Sequence, residues 1–393
     1  MSSRTFADLG VSSAATSALE RRGITAPFAV QSLVIPDALE GHDVLAESPT
    51  GSGKTLAFVL PILERLSTND PRPAALVLAP TRELAGQIVD DARDIADARG
   101  LTVAAVYGGV GIERQAKLAR KAHMLVATPG RLLDLMNRGD LDLGRIRILV
   151  LDEADRMMDM GFRPDLERIV KRTPRERQTL LFSATLAGAP GDLARAYTQK
   201  ARHHAHRPTA EKTAQVEHRF VQVLHEAKLD ALVDQLEGDR GLALVFVRTK
   251  RGADRLVKRL KARGVDSMAI HGNKTQNQRE RALAAFERWD VDVLIATDVA
   301  ARGIDVADVS HVINFDAPED QDGYVHRTGR TGRAGRDGVA ITFVLGDQAR
   351  EMGTIAKRLG LEFPPHTSAD NGHAPARQGG GNRNRGRQRN NRR

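Results

Sequence analysis

Cysteine is absent from this chain of 393 residues, so neither a disulfide framework nor a thiolate metal site is available. Long apolar runs are missing as well. The longest, residues 56–63, falls far short of the ~20 residues that span a bilayer, so no membrane partner is expected. Residues 1–9 lack the basic-then-apolar pattern of a secretory leader. These absences together point to a cytoplasmic enzyme. Acid is nearly missing from one place: residues 366–393 hold seven Arg, no Lys and a single acid, Asp370. Of the formal net charge of +9, that stretch carries +6 and all the rest +3. It also contains no aromatic residue to stack on a base. A basic Arg/Gly/Asn-rich tail can displace counterions from phosphates without reading sequence, although its composition alone also fits a solubilising tail.

What is present suffices for two full cores. Apolar residues make up 41% and charged residues 28%, as in ordinary globular proteins, and the length suggests two domains plus extras. Ala14, Ala15, Ala18 and Leu19 share one helical face, which Gly23 ends. After a proline-containing segment that includes Gln31, short apolar runs alternate with helical stretches. The runs are 43–47, 74–79, 101–107, 124–127, 148–151 and 179–182, then 242–247, 267–270, 291–296, 311–315 and 339–344. Continuous rather than alternating apolar strands are buried on both faces, which predicts parallel sheets covered by helices. The expected fold class is α/β, with two tandem domains at 1–201 and 214–363, each a mostly parallel sheet flanked by helices. A linker at 202–213 and a disordered basic tail at 364–393 complete the expected layout. His203, His204 and His206 fall in that linker, where no pattern fixes a metal-binding geometry.

Two stretches carry chemistry. Residues 149–151 read as a buried strand that delivers Asp152 and Glu153 at its carboxyl end, where ligands of open α/β sheets bind. Alone, such a pair fits a helix cap. Ser48-Pro-Thr-Gly-Ser-Gly-Lys-Thr55 supplies its partner, again at the end of an apolar run. Thr50, Gly51, Ser52 and Gly53 form a loop whose glycines let backbone N–H groups approach phosphates at a helix N-terminus. Lys54 would reach the β- and γ-phosphates, and Thr55 would offer its hydroxyl to Mg²⁺. Asp152 would hold Mg²⁺ as well, and Glu153 would orient or deprotonate the attacking water. Phosphoryl transfer also needs positive charge beyond the γ-phosphate, for which His326-Arg327-Thr328-Gly329-Arg330-Thr331-Gly332-Arg333 is a candidate. Arg330 and Arg333 are three apart and project the same way on a helical turn. Spacing alone leaves arginine fingers about even with the alternative, a solvated basic helix or a phosphate-backbone contact.

With these motifs in order, the chain resembles a DEAD-box ATP-dependent RNA helicase of superfamily two and bacterial type, over residues 6–363. Gln31 with upstream Phe6 resembles the adenine-reading Q motif. Pro80-Thr-Arg-Glu-Leu-Ala85 with Gln87, Gly108-Gly109 and Thr128-Pro-Gly-Arg131 resemble the RNA-contacting motifs of the first domain, and Asp152-Glu-Ala-Asp155 is followed by Ser183-Ala-Thr185. In the second domain Val245-Phe-Val-Arg-Thr249, Gln276 with Arg279, Thr297-Asp-Val-Ala-Ala-Arg-Gly-Ile-Asp305 and the Arg330/Arg333 segment match in turn.

The resemblance implies two RecA-like domains, ATP and Mg²⁺ as cofactors, and RNA as partner, single-stranded or as short duplex. RNA would be gripped by Arg82, Gly109, Thr128, Arg131 and Thr297 through phosphates and 2′-hydroxyls, without sequence specificity. It implies that Arg330 and Arg333 are arginine fingers and that Asp305 touches the ribose. Ser183, Thr185 and His326 are implied to couple hydrolysis to the domain arrangement. Ile24 follows Gly23 where the family usually has an aromatic residue, and Phe28 stands where Thr or Ser is usual, so weaker adenine selection is expected. With the site split over two domains, ATP and RNA each favour closure and must favour each other. The implied output is local unwinding of short RNA duplexes or remodelling of RNA–protein complexes; an ATP-gated RNA clamp or assembly scaffold is the alternative. Ribosomal or RNA-decay proteins are the expected protein partners.

Overall fold

The apolar runs of the amino-terminal half become strands of one parallel sheet. The computed structural model describes residues 4–48, 52–205, 216–238, 240–301, 306, 309–332 and 336–364. Its first strands are β1 (Val44–Glu47), β2 (Ala75–Leu78), β3 (Val103–Val106), β4 (Met124–Ala127), β5 (Ile148–Leu151) and β6 (Gln178–Ser183). With β7 (Arg202–Ala205) they form the order β3-β4-β2-β5-β6-β1-β7. Successive side chains point to opposite faces, and both faces are covered. Ala75, Val77, Val150 and Phe182 join one core, while Leu76, Leu78, Leu149 and Leu151 join the other. This is why the strands read as unbroken apolar runs.

β7 corrects the expected linker. Residues 202–205 are not connecting chain but an edge strand, paired in parallel with β1 from Val44 opposite Arg202 to Glu47 opposite Ala205. Its side chains are mostly exposed, so backbone pairing holds it, together with His204 Nε2 at 2.7 Å from Asp37 Oδ2. His206 and the remainder of the expected linker lie outside the described residues.

The second parallel sheet contains β8 (Val216–Gln222), β9 (Leu242–Phe246), β10 (Met268–Ile270), β11 (Val293–Ala296), β12 (Val309–Asn314) and β13 (Gly338–Val344), in the order β10-β11-β9-β12-β13-β8. It too has a core on each face. A smaller cluster beneath the last helix, Ala349–Arg358, includes Phe220 stacked 5.8 Å from Tyr324. Among the described residues no helix is long and apolar enough to cross a membrane. Most of the expected tail, 365–393, lies outside the described residues.

Candidate active site

β1 hands over to the phosphate loop at its carboxyl end. Thr50 and Gly51 lie outside the described residues, and the chain resumes at Ser52 and Gly53 before the helix Lys54–Arg65. Gly53 has φ +84°, and a Cβ there would fall 2.4 Å from the Phe28 ring, so both backbone and space require glycine. Ser48 is buried, and its Oγ lies 2.6 Å from Ser52 Oγ, bracing the loop across itself. Lys54 is buried and its Nζ donates to the Ser48 carbonyl at 2.9 Å; Thr55 follows, half-buried. Gln31 touches the loop directly. Its Oε1 accepts the Phe28 N–H at 2.8 Å and its Nε2 donates to the Gly53 carbonyl at 2.9 Å.

Of the two phenylalanines in the Q-like segment, Phe6 departs from expectation. Phe28, 60% exposed, lays its ring against Gly53. Phe6, expected to contact the base, is 1% exposed within the first core. Here it is a core residue: the short helix Ala7–Leu9 that it caps packs on the helix Ala29–Leu39 that carries Gln31.

β5 delivers Asp152 and Glu153, both nearly buried. Asp152 donates its N–H to the Leu78 carbonyl at 2.9 Å, and its Oδ1 accepts the Glu153 N–H at 3.0 Å. Glu153 has φ +50°, a left-handed conformation that costs a non-glycine residue about 1 kcal/mol. It turns the chain sharply from strand into the helix Ala154–Asp159. Burial pushes the Asp152 carboxyl up to about 7, with Lys54 opposing and Glu153 adding to the rise. Burial acts the same way on Glu153, but Arg156, Arg330 and Lys54 outweigh it and hold this carboxyl below its ordinary value. Arg156 NH1 stands 3.2 Å from Glu153 Oε2. The two acids are thus set apart: burial raises Asp152, while the neighbouring cations favour the ionised form of Glu153.

The influence of Arg330 on Glu153 spans the two halves of the chain. Arg330 is 5% exposed and, with His326 and Arg248, lines a cavity of about 510 Å³ that Arg156 and Asp159 close from the first half. Arg333 and Asp305 lie outside the described residues. Arg327 organises this side and was passed over in the sequence. Its guanidinium pairs with both carboxylate oxygens of Asp298, at 2.5 and 2.8 Å, and donates to the Asp316 carbonyl at 2.6 Å. It thereby ties the helix Gln321–Thr328 to the residue after Thr297. Arg156 was also missed, although its spacing of three from Glu153 on a helix start was a legible signal. Ser183 and Thr185 are joined to the acid motif: Asp155 Oδ2 accepts the Ala184 N–H at 2.9 Å, and Ser183 Oγ accepts the Asp155 N–H at 3.3 Å and donates to the Thr185 carbonyl at 2.5 Å.

A second group gathers after β2, β3 and β4. The Arg82 guanidinium lies over Gly108 and Gly109, where added Cβ atoms would fall 2.8 and 2.4 Å from its nitrogens. Arg131 turns inward, its NH1 donating to the Val110 carbonyl at 3.0 Å and to Gln115 Oε1 at 2.8 Å, so it braces this loop. Thr128 caps the helix Pro129–Asn137, and Thr297 sits on the other half, buried at the end of β11. The halves meet beside Arg82. Arg279 NH2 lies 2.8 Å from Glu83 Oε1, both side chains buried, and the Tyr107 hydroxyl donates to Glu280 Oε1 at 3.3 Å. Among the described residues, Glu83 Oε1 and Arg279 Nε nonetheless lack an aligned hydrogen bond. Burial pushes the Glu83 carboxyl up against the opposing pull of Arg279.

The chain is similar to known proteins over most of its length. Residues 28–193 match the family model of the DEAD/DEAH box helicases, and residues 227–335 match that of the helicase conserved C-terminal domain. The DEAD-box ATP-dependent RNA helicase CshA of Streptococcus pneumoniae is 45% identical over 355 residues, 89% of this chain and 67% of that protein. The ATP-dependent RNA helicase DbpA of Bacillus subtilis is 42% identical over 348 residues, covering 88% and 73%. Among solved structures, S. cerevisiae Dbp5 bound to RNA and ADP BeF3 superposes with a TM-score of 0.81 at 32% identity, covering 92% of this chain and 95% of that one.

Proposed function

Because this chain belongs to the DEAD-box family of ATP-dependent RNA helicases, we propose that its two RecA-like domains hold complementary halves of one ATPase site. Its activity is RNA-dependent ATP hydrolysis coupled to local unwinding of RNA. The observation that carries the split-site reading is the cavity that Arg330 and His326, from the second domain, line together with Arg156 and Asp159 from the first, beside Glu153. Arg330 and, by family resemblance, Arg333 serve as the arginine fingers that offset charge developing on the transferring phosphoryl group. Glu153 orients the attacking water and accepts its proton. Lys54 exchanges the Ser48 carbonyl for phosphate oxygens, and Gln31 reads adenine while keeping its hold on the loop.

Thr55 and Asp152 would hold Mg²⁺; a hydroxyl and a buried carboxylate are the hard oxygen donors this ion takes. The ion would supply charge neutralisation at the β- and γ-phosphates. Asp305 would meet the ribose. Arg82, Gly109, Thr128 and Thr297 would contact RNA, with Arg131 shaping the loop they share, and Ser183, Thr185 and His326 would transmit the state of the γ-phosphate. We read the first domain as extending through β7, and the protein as cytoplasmic, with ribosomal or RNA-decay proteins as partners.

The test is release of a short RNA duplex by the natural chain and by Arg330→Ala. ATP-dependent release is expected from the former, and a loss of kcat of roughly 10³-fold or more with retained nucleotide binding from the latter. An Arg330→Ala protein that hydrolyses at the natural rate contradicts the split site.

A further inference from the structure

The amino ends of the strands form the rear of the first domain, away from the phosphate loop. A cavity of about 850 Å³ opens there beside the starts of β1, β5 and β6. Arg65, Arg147, Arg175, Arg177 and Lys200 line it, against two acids, Asp43 and Glu176. Asp43 is already committed to the backbone: its carboxylate oxygens accept the N–H groups of Thr179 at 2.7 Å and of Gln199 at 2.6 Å. Glu176 is exposed. Arg147 is paired with Asp70 at 2.6 Å, and His42 at the rim stands 3.3 Å from Glu40. Arg65 and Arg177 are met by groups that do not cancel charge. Arg65 NH1 donates to the Leu39 carbonyl at 2.8 Å, and Arg177 NH1 to the Pro174 carbonyl at 2.6 Å.

The burial of these guanidinium groups leaves their charge incompletely compensated. Among the described residues, Arg65 Nε and Arg177 Nε are buried without a hydrogen-bond partner. Burial holds both guanidinium groups below their ordinary values, and Arg147 adds repulsion at Arg65, while Asp43 eases Arg177. Guanidinium groups present paired donors that match phosphate oxygens, and the volume lies within the range of small-ligand sites. The cations converge on a cavity and do not form an extended stripe, which favours a compact anion over a nucleic-acid track.

We propose that this rear cavity of the first domain binds a small, multiply charged phosphate anion, of pyrophosphate to nucleotide size, at a site separate from the ATPase cleft. Arg65 ends the helix that begins at Lys54, so about 18 Å of helix separates the two sites.

The test uses the full chain carrying Lys54→Gln, which disables the phosphate loop, titrated calorimetrically with pyrophosphate. The comparison is the same chain with Arg175→Gln and Lys200→Gln added; both positions are exposed, and the basic tail is identical in the two proteins. Saturable binding is expected in the first and a weakening of roughly tenfold or more in the second. The same pair of substitutions is compared in the natural chain saturated with ADP, which keeps the test independent of Lys54→Gln folding. RNA-stimulated ATP hydrolysis by Arg175→Gln/Lys200→Gln is expected to be unchanged. Superimposable isotherms would overturn the site. So would a loss of single-stranded RNA affinity with pyrophosphate binding intact, which would assign these cations to the RNA backbone.

Discussion

Gly109 has no room for a side chain. Its φ of +89° and the Arg82 nitrogen 2.4 Å from where a Cβ would stand act together. Gly109→Ala is expected to cost about 1 kcal/mol of stability from the backbone alone and to push Arg82 from its place. RNA affinity should then fall while nucleotide affinity holds; equal RNA affinity in the two proteins would remove Arg82 from the proposed RNA contacts. At this scale the sequence is informative where chemistry is local. Lys54, Asp152 and Glu153 are legible because a phosphate loop and an acid pair at strand ends have few other uses. Arg327 was not legible, because its partner Asp298 lies 29 positions away and neither residue is unusual by itself. Phe6 shows the opposite failure: its motif position is clear, yet its ring lies inside the core.

At the scale of elements, burial decides what can be read. Strands such as β5, Ile-Leu-Val-Leu, announce themselves because helices cover both faces. β7, largely exposed, and β8, whose half-buried and exposed side chains alternate around one buried residue, sit at sheet edges, so neither reads as an unbroken apolar run. Contacts between elements of different domains were equally silent, and the Arg279–Glu83 pair is the most consequential. Removing one partner of a buried pair within a single core costs about 3–5 kcal/mol. Here the halves can part and hydrate Glu83, so the loss should fall on closure. Arg279→Ala is expected to raise the RNA concentration that half-saturates ATP hydrolysis by roughly tenfold, with thermal unfolding little changed. A lowered unfolding temperature with an unaltered RNA requirement would make the pair purely structural.

Over the whole molecule, charge is distributed by task. The tail 366–393 carries +6 of the net +9 and, lacking aromatics, can grip phosphates without selecting bases. Deleting it should weaken RNA binding and flatten the dependence of log affinity on log salt, by up to about 5 for its seven Arg. The maximal ATPase rate should be spared, and an unchanged salt slope would assign the tail another role. In the proposed split site neither domain is sufficient: Glu153 and Lys54 stand on one, Arg330 on the other. That division is tested most directly by the ATPase rate without nucleic acid, with single-stranded RNA and with matched DNA, using Glu153→Gln as the blank. Strong stimulation by RNA alone, absent in the blank, is the expected result. Equal rates under all three conditions would mean that RNA does not gate assembly of the site, and would contradict it.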